Sequence, residues 1–231
     1  MVPIKRLLQI AGAALLFASA AGAAENAELK KAQSAAEVLK EIQAVPEKGI
    51  PPALLANAHG VAVFPGLVKV GLTVGGEYGS GVLLVRNEQG EWSNPVFVRL
   101  IGGSVGFQIG AQSSDVILVF KTAKSIEGVM NGKFTLGADA AVAAGPVGRR
   151  AEAATDVMLK AEILSYSRSR GLFAGVSLQG AVLTINEKAD DAFYGAEGVT
   201  VKDVLAGKVE APPVADTLRR MMSEYSSERP A

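Results

Sequence analysis

The chain has no cysteine and a single histidine among its 231 residues. Without thiols it can build no disulfide framework, no cysteine-ligated zinc or iron–sulfur site and no thiol nucleophile. Neither sign of charge is in excess, because 23 Lys and Arg balance 23 Asp and Glu. No global basic field therefore marks a nucleic-acid partner, and none is expected. Charged residues are only 20% and apolar residues 49%, the opposite of the composition that keeps a chain disordered. The length suits one domain with helical appendages.

Glycine is in excess, with 26 residues. The first stretch, however, reads as an address. M-V-P-I-K-R places Lys5 and Arg6 ahead of L-L-Q-I-A-G-A-A-L-L-F-A-S-A-A, and Ala21-Gly22-Ala23 follows with small residues at the −3 and −1 sites. This is the pattern of a secretory signal peptide, with cleavage expected after Ala23. A spanning anchor would want about 20 apolar residues. No cysteine follows the apolar run, so lipoprotein acylation is excluded. The expected product is exported, soluble and, in a two-membrane bacterium, periplasmic.

Four stretches follow: 1–23 as signal peptide, 24–60 as an N-terminal helical segment, 61–195 as a β-rich core, and 196–231 as C-terminal helices and tail. From Ala27 to Ala44 the apolar positions Leu29, Ala32, Ala36, Leu39 and Ile42 step by three or four, which predicts an amphipathic helix with a narrow stripe. Its polar face mixes signs, so packing on the core is favoured over lying at a bilayer. Pro51-Pro52 open a second, short helix through Asn57, with Gly60 placed to cap it. Beyond Gly60 the period changes to two. Val61–Phe64 reads as a strand ending at Pro65-Gly66, and alternation resumes from Val70 through Arg86, from Val96 to Gly110, and over Val116–Phe120. Ala123–Met130 is expected to be helical. Met158–Arg168 and Leu172–Ile185 read as two strands joined at Ser169-Arg170-Gly171.

Glycine recurs on one side of three strands, at Gly71/75/79, Gly102/106/110 and Gly171/175. Glycine weakens a strand, so its repetition implies sharp coiling, barrel closure or close backbone approach. The fold class expected is α+β: a strongly curved, mostly antiparallel sheet or barrel packed with helices at both ends of the chain. Thr200 opens a helix stopping at Gly207 through a capping box with Asp203, and Pro212-Pro213 precede a last helix over Val214–Tyr225.

The chemical motifs reduce to structure. Gly102-Gly103-Ser104-Val105-Gly106 matches the G-x-S-x-G of hydrolases, but alternation continues through Ser104 and the sole His59 lies upstream. Gly128–Lys133 is one residue short of a phosphate loop and lacks the hydroxyl after the lysine. His59 is expected at a helix end. Asp115, Asp139 and Asp156 are expected to bond turns or strand ends. Catalytic residues, metal ligands and cofactors are accordingly not expected. The basic residues Lys69, Arg149, Arg150, Arg168 and Arg170 cluster near turns and strand ends, where Arg forks suit phosphate; the alternative is ordinary solvated charge or pairing with Glu152 and Glu162.

Five strings carry a resemblance. They are A-N-A-H-G-V-A-V-F-P-G (56–66), V-G-G-E-Y-G-S-G-V-L-L-V-R (74–86), G-G-S-V-G-F-Q-I-G-A-Q-S-S-D-V-I-L-V-F (102–120), K-F-T-L-G-A-D-A-A-V-A-A-G-P-V-G-R (133–149) and S-Y-S-R-S-R-G-L-F-A-G-V-S-L-Q-G (165–180). Together they resemble the SYLF domain family, a module also found in yeast and animal actin-patch proteins. The resemblance implies a non-enzymatic phospholipid binder, phosphoinositides included in eukaryotic members, acting through the N-terminal helical part and nearby basic residues. Some relatives also bind actin, which an exported bacterial protein is not expected to meet. The alternative expectation is a structural or protein-interaction module of the cell envelope, with protein partners unspecified.

Overall fold

The computed structural model describes residues 25–44, 49–71, 74–105, 110–146, 156–169, 172–176 and 178–227. The expected signal segment with Ala23, and Arg149, Arg150 and Arg170, lie outside the described residues.

Helix α1 covers residues 25–43 and buries Ala32, Ala35, Val38, Leu39 and Ile42. Ala32, Leu39 and Ile42 are in the expected stripe, Ala35 and Val38 shift it to one side, and Leu29 and Ala36 stay partly exposed; the stripe packs on the sheet. A short α2 (Pro52–Ala56) follows, with proline in its first turn, where no N–H partner is required. Gly60 does not cap this helix. It opens β1 (Gly60–Gly71), because beside it the His59 carbonyl already accepts from Arg86 N–H and the His59 N–H donates to the Phe120 carbonyl.

Strands β1, β2 (Val74–Val85), β3 (Val96–Val105) and β4 (Gly110–Phe120) form the centre of a nine-stranded sheet. Helix α3 (Ala123–Met130) has the predicted bounds and is capped by Thr122, whose side chain accepts the Ser125 N–H. The short strands β5 (Phe134–Thr135) and β6 (Val142–Ala144) come next, then α4 (Asp156–Lys160) and β7 (Ile163–Ser169). The expected strand over Met158–Arg168 is thus helical in its first three residues. Its partner segment is divided as well: β8 (Leu172–Gly175) pairs with β7, whereas β9 (Val182–Ile185) pairs with β3. Helices α5 (Glu187–Tyr194), α6 (Val201–Leu205) and α7 (Pro213–Ser226) complete the described chain, α6 being capped by Thr200 as expected.

The strand order is β5-β9-β3-β2-β1-β4-β7-β6, with β8 on β7. Every pairing is antiparallel except β6 with β7. The two ends of this path, β5 and β6, are joined by residues 136–141 alone. Eight strands laid flat would separate the ends by about 34 Å, while seven extended residue steps reach about 25 Å at most. The sheet must therefore curl, and the Gly137–Asp139 turn, closed by Gly137 N–H to the Ala140 carbonyl, draws its edges closer still.

Curling gives the sheet an inner and an outer face. The inner face buries Phe64, Leu83, Leu100, Leu118 and Phe120 with Ile126 and Val129 of α3. The outer face buries Val61, Val82, Phe97, Ile117 and Tyr166 under α1, α2, α5 and α7. Glycine permits the curvature where backbones come closest. A methyl at Gly81 would collide with the Val63 carbonyl oxygen and sit 2.8 Å from the Phe64 ring. At Gly103 the same methyl would meet nothing within 4 Å.

This contrast is testable. Gly81→Ala should lower unfolding free energy by about 2–3 kcal/mol, as overpacking does, and Gly103→Ala should change it by less than about 0.5 kcal/mol. Urea denaturation of the two variants measures both; equal effects would remove close approach as the reason for glycine here.

Candidate functional site

β1 carries one extra residue relative to its neighbours. Its pairing with β2 shifts between Val63 and Val68, and its pairing with β4 shifts between Phe64 and Leu67. Pro65-Gly66 is therefore a bulge within a continuous strand, not the strand's end. Gly66 takes a φ of 63°, a left-handed value that glycine adopts without a Cβ penalty. Its N–H donates to Asp115 Oδ1 at 2.9 Å.

The other oxygen of Asp115 accepts from Arg168 Nε at 2.9 Å and Nη2 at 2.7 Å. Arg168 Nη1 turns to Glu41 of α1, whose carboxylate is half exposed. A groove of about 310 Å³ opens here between α1 and the bulge, with Lys31 and Arg168 among its walls. Asp115, expected at a turn or strand end, instead lies within β4 and bonds the β1 bulge. Arg168 is held by Asp115 and Glu41, while Glu162, expected as its partner, accepts from Thr122 instead.

Lys69 lies on the inner face, away from Arg168. Its Nζ is 2.9 Å from Glu77 Oε2, directly across the β1–β2 pair, and the Glu77 side chain is only 5% exposed. Gly102, opposite Glu77 on β3, leaves the space this carboxylate occupies: a methyl there would approach Glu77 Oε1 to 2.6 Å. The sheet therefore separates the two described cations of the expected set. Lys69 offsets a buried charge, and Arg168 faces a surface groove.

The hydrolase pattern is taken apart by register. Ser104 lies opposite Gly75 and Gly60 opposite Val85 on the same strand β2, ten residues or about 33 Å apart. His59, next to Gly60, is exposed. Gly128 of the phosphate-loop-like string lies within α3 and packs on Phe134. Among the described residues no group of three His, Asp or Glu could hold a metal, and no helix is long and apolar enough to cross a membrane.

Two polar features escape sequence reading. Asp190 of α5 is 1% exposed and accepts the Phe97 N–H at 2.8 Å. Burial pushes its pKa up to about 7; the Phe97 hydrogen bond opposes this, while Asp191, Glu187 and Glu28 reinforce it. Helical periodicity gives Asp190 no signal, because the N–H it bonds belongs to a strand 93 residues away. The second feature is a polar cleft of about 580 Å³ between the Asn87–Asn94 turn and α6–α7, where the buried Asn94 Oδ1 and Arg219 Nε have no hydrogen-bond partner.

Known proteins resemble this chain over most of its length. A family described as Ysc84, Las17-binding protein actin regulator, matches residues 101–225. The SH3 domain-containing YSC84-like protein 1 of Xenopus laevis is 33% identical over 202 residues, 85% of this chain and 60% of that protein. The LAS seventeen-binding protein 3 and Protein YSC84 of Saccharomyces cerevisiae are each 36% identical over 176 residues. That alignment takes in 75% of this chain but only 38% and 37% of the yeast proteins. The chain spans between 37% and 60% of the length of these relatives.

If Lys69 serves Glu77, Lys69→Met should destabilise the fold by about 2 kcal/mol by leaving a buried charge unpaired. Adding Glu77→Gln should restore most of that loss; a double variant no more stable than the single one refutes the pairing. For Asp190 the sign is fixed by linkage. The unfolded chain releases this proton near 3.8 and the fold near 7, so the fold holds the extra proton between them. Its contribution to stability is present below about pH 4 and declines as pH rises to about 7. Asp190→Asn should flatten that part of the stability–pH curve in thermal melts from pH 4 to 8, and a slope unchanged from wild type would exclude Asp190 as its source.

Proposed function

Because the chain belongs to the Ysc84 family, the SYLF domain proteins, we propose that it is an exported, non-enzymatic protein that binds phospholipid surfaces by their anionic headgroups. The observation that carries this reading is the α1–bulge groove, where Arg168 and Lys31 line one opening together with the carboxylates of Glu37, Glu41 and Asp115. Asp115 holds the Nε–Nη2 edge of the Arg168 fork, which fixes its plane. The Nη1 edge is covered by Glu41, an exposed and replaceable carboxylate. A headgroup phosphate matches the guanidinium better than one surface carboxylate does, so it can take the place of Glu41 while Asp115 keeps the fork oriented.

The apolar stripe of α1 is buried against the sheet, so in this arrangement lipid meets the helix's polar side and the groove beside it. The distance between His59 and Ser104 supports the non-enzymatic part of the reading. The first 23 residues support export, and an exported protein would not encounter actin. The yeast relative is named for binding LAS seventeen.

Co-sedimentation tests the reading. The protein should pellet with phosphatidylcholine vesicles containing phosphatidylglycerol at low salt and much less with phosphatidylcholine alone, and salt should weaken the difference. Glu41→Gln should raise binding severalfold and Arg168→Gln should lower it, with circular dichroism confirming that α1 stays folded. Indifference to anionic lipid would overturn the proposal.

A further inference from the structure

We infer that the outer sheet face beyond the bulge is the surface that enters the bilayer, with Val68, Val70, Tyr78 and Ile101 dipping into its apolar layer. This rests on the phospholipid reading above and assigns it a second contact.

Five large apolar side chains are substantially exposed among the described residues: Leu159 of α4 at 65%, and these four at 40%, 56%, 52% and 49%. The four are not scattered. Val68 is opposite Tyr78 across β1–β2, and Tyr78 is opposite Ile101 across β2–β3, so three strands place them in one row on one face. Directly opposed side chains on a sheet lie about 5 Å apart. Val70 extends the row toward the strand ends beside Gly76 and Gly103, which add no polar side chain.

At the same level the inner face is polar. Lys69 and Glu77 form their ion pair there, with Gly102 beside it. In the other half of the sheet both faces are apolar and covered. Beyond the bulge the pattern inverts, with charge inside and apolar side chains outside. A sheet in water has no reason to turn its valines outward and seal its carboxylate in. A sheet end that sits in lipid does.

Two further observations choose a bilayer over a second protein. The row exposes on the order of 300 Å² of apolar surface, against about 800 Å² per partner in a stable protein interface. The row is also continuous with the groove that holds Arg168. Val68 pairs with Ser113, two residues along β4 from Asp115, or about 7 Å. A headgroup held at Arg168 on β7 would lie two strand spacings, about 10 Å, from Val68 on the same face, so one membrane surface could meet both.

The absence of native cysteine makes the test direct. Val70→Cys, Tyr78→Cys and Ile101→Cys in the full chain are labelled with the solvent-sensitive fluorophore NBD, as is Gln89→Cys in the exposed turn at the other end of β2. On vesicles of phosphatidylcholine and phosphatidylglycerol, the first three labels should shift to the blue, brighten severalfold and be quenched by doxyl-labelled acyl chains, while the label at 89 stays unchanged. Ile101→Asp should reduce vesicle binding by about tenfold with an unchanged thermal midpoint. Pelleting without any spectral response at 70, 78 and 101 would overturn this assignment and leave the headgroup reading standing. Failure to pellet at all would remove both. A blue shift that grows with protein concentration in the absence of vesicles, together with dimers in sedimentation velocity, would overturn it in favour of a second copy.

Discussion

The carboxylate of Asp115 holds together three parts that the chain brings from far apart. One oxygen fixes the Gly66 N–H of the β1 bulge, and the other fixes Arg168 of β7, which in turn reaches Glu41 of α1. The bulge matters because strand faces alternate with a period of two. One extra residue exchanges the two faces for everything beyond it. Without it, Lys69 would point outward and Val68 and Val70 inward. With it, Lys69 reaches Glu77 inside and the valines join Tyr78 and Ile101 outside. A single backbone N–H bonded to one side chain thus decides which chemistry each face of the sheet offers.

Curvature and composition are tied in the same way. The short link between β5 and β6 forces the two ends of the strand path together, and a curled sheet crowds its inner face. Large residues fill part of that face, Phe64, Leu118 and Phe120 among them. Elsewhere it takes glycines, over which neighbouring groups lie: Leu67 against Gly79, Phe64 against Gly81, Glu77 against Gly102. Glycine lowers the intrinsic stability of a strand, and the helices packed on the outer face offset this with a core running from Ala32 to Met222.

Much of this was readable from local pattern. The core of the α1 stripe, the α3 bounds and the Thr200 cap each depend on residues close in sequence, and each is present; of the glycine columns, Gly79 and Gly102 face inward, while Gly106 and Gly171 lie outside the described residues. What local pattern could not give is whatever depends on a partner far along the chain. Pro65-Gly66 looks like a strand's end because the residue that sustains the strand, Asp115, is 49 positions away. Leu172–Ile185 reads as one strand because nothing in it announces that its two halves pair with β7 and β3. For the site, the sequence selected Lys69 and Arg168 by charge, and both hold structured positions. Alternation alone, with no bulge to invert it, could not tell that they face opposite sides of the sheet. Arg149, Arg150 and Arg170 lie outside the described residues.

The inversion beyond the bulge and the Arg168 groove make sense as one device. A cation at a protein surface attracts anionic headgroups but gives little orientation, since it can be approached from any side. An apolar row alone partitions weakly and favours self-association as readily as lipid. On one face of the sheet and two strands apart at their nearest, they would constrain each other in the proposed membrane contact: phosphate at the guanidinium would define the height, and the strands the tilt. The ion pair inside the sheet supports this arrangement, because Lys69 and Glu77 occupy inward positions that would otherwise demand apolar side chains and a larger core. Keeping that end thin, glycine-lined and internally polar lets its outer surface be apolar without the whole domain becoming a membrane protein.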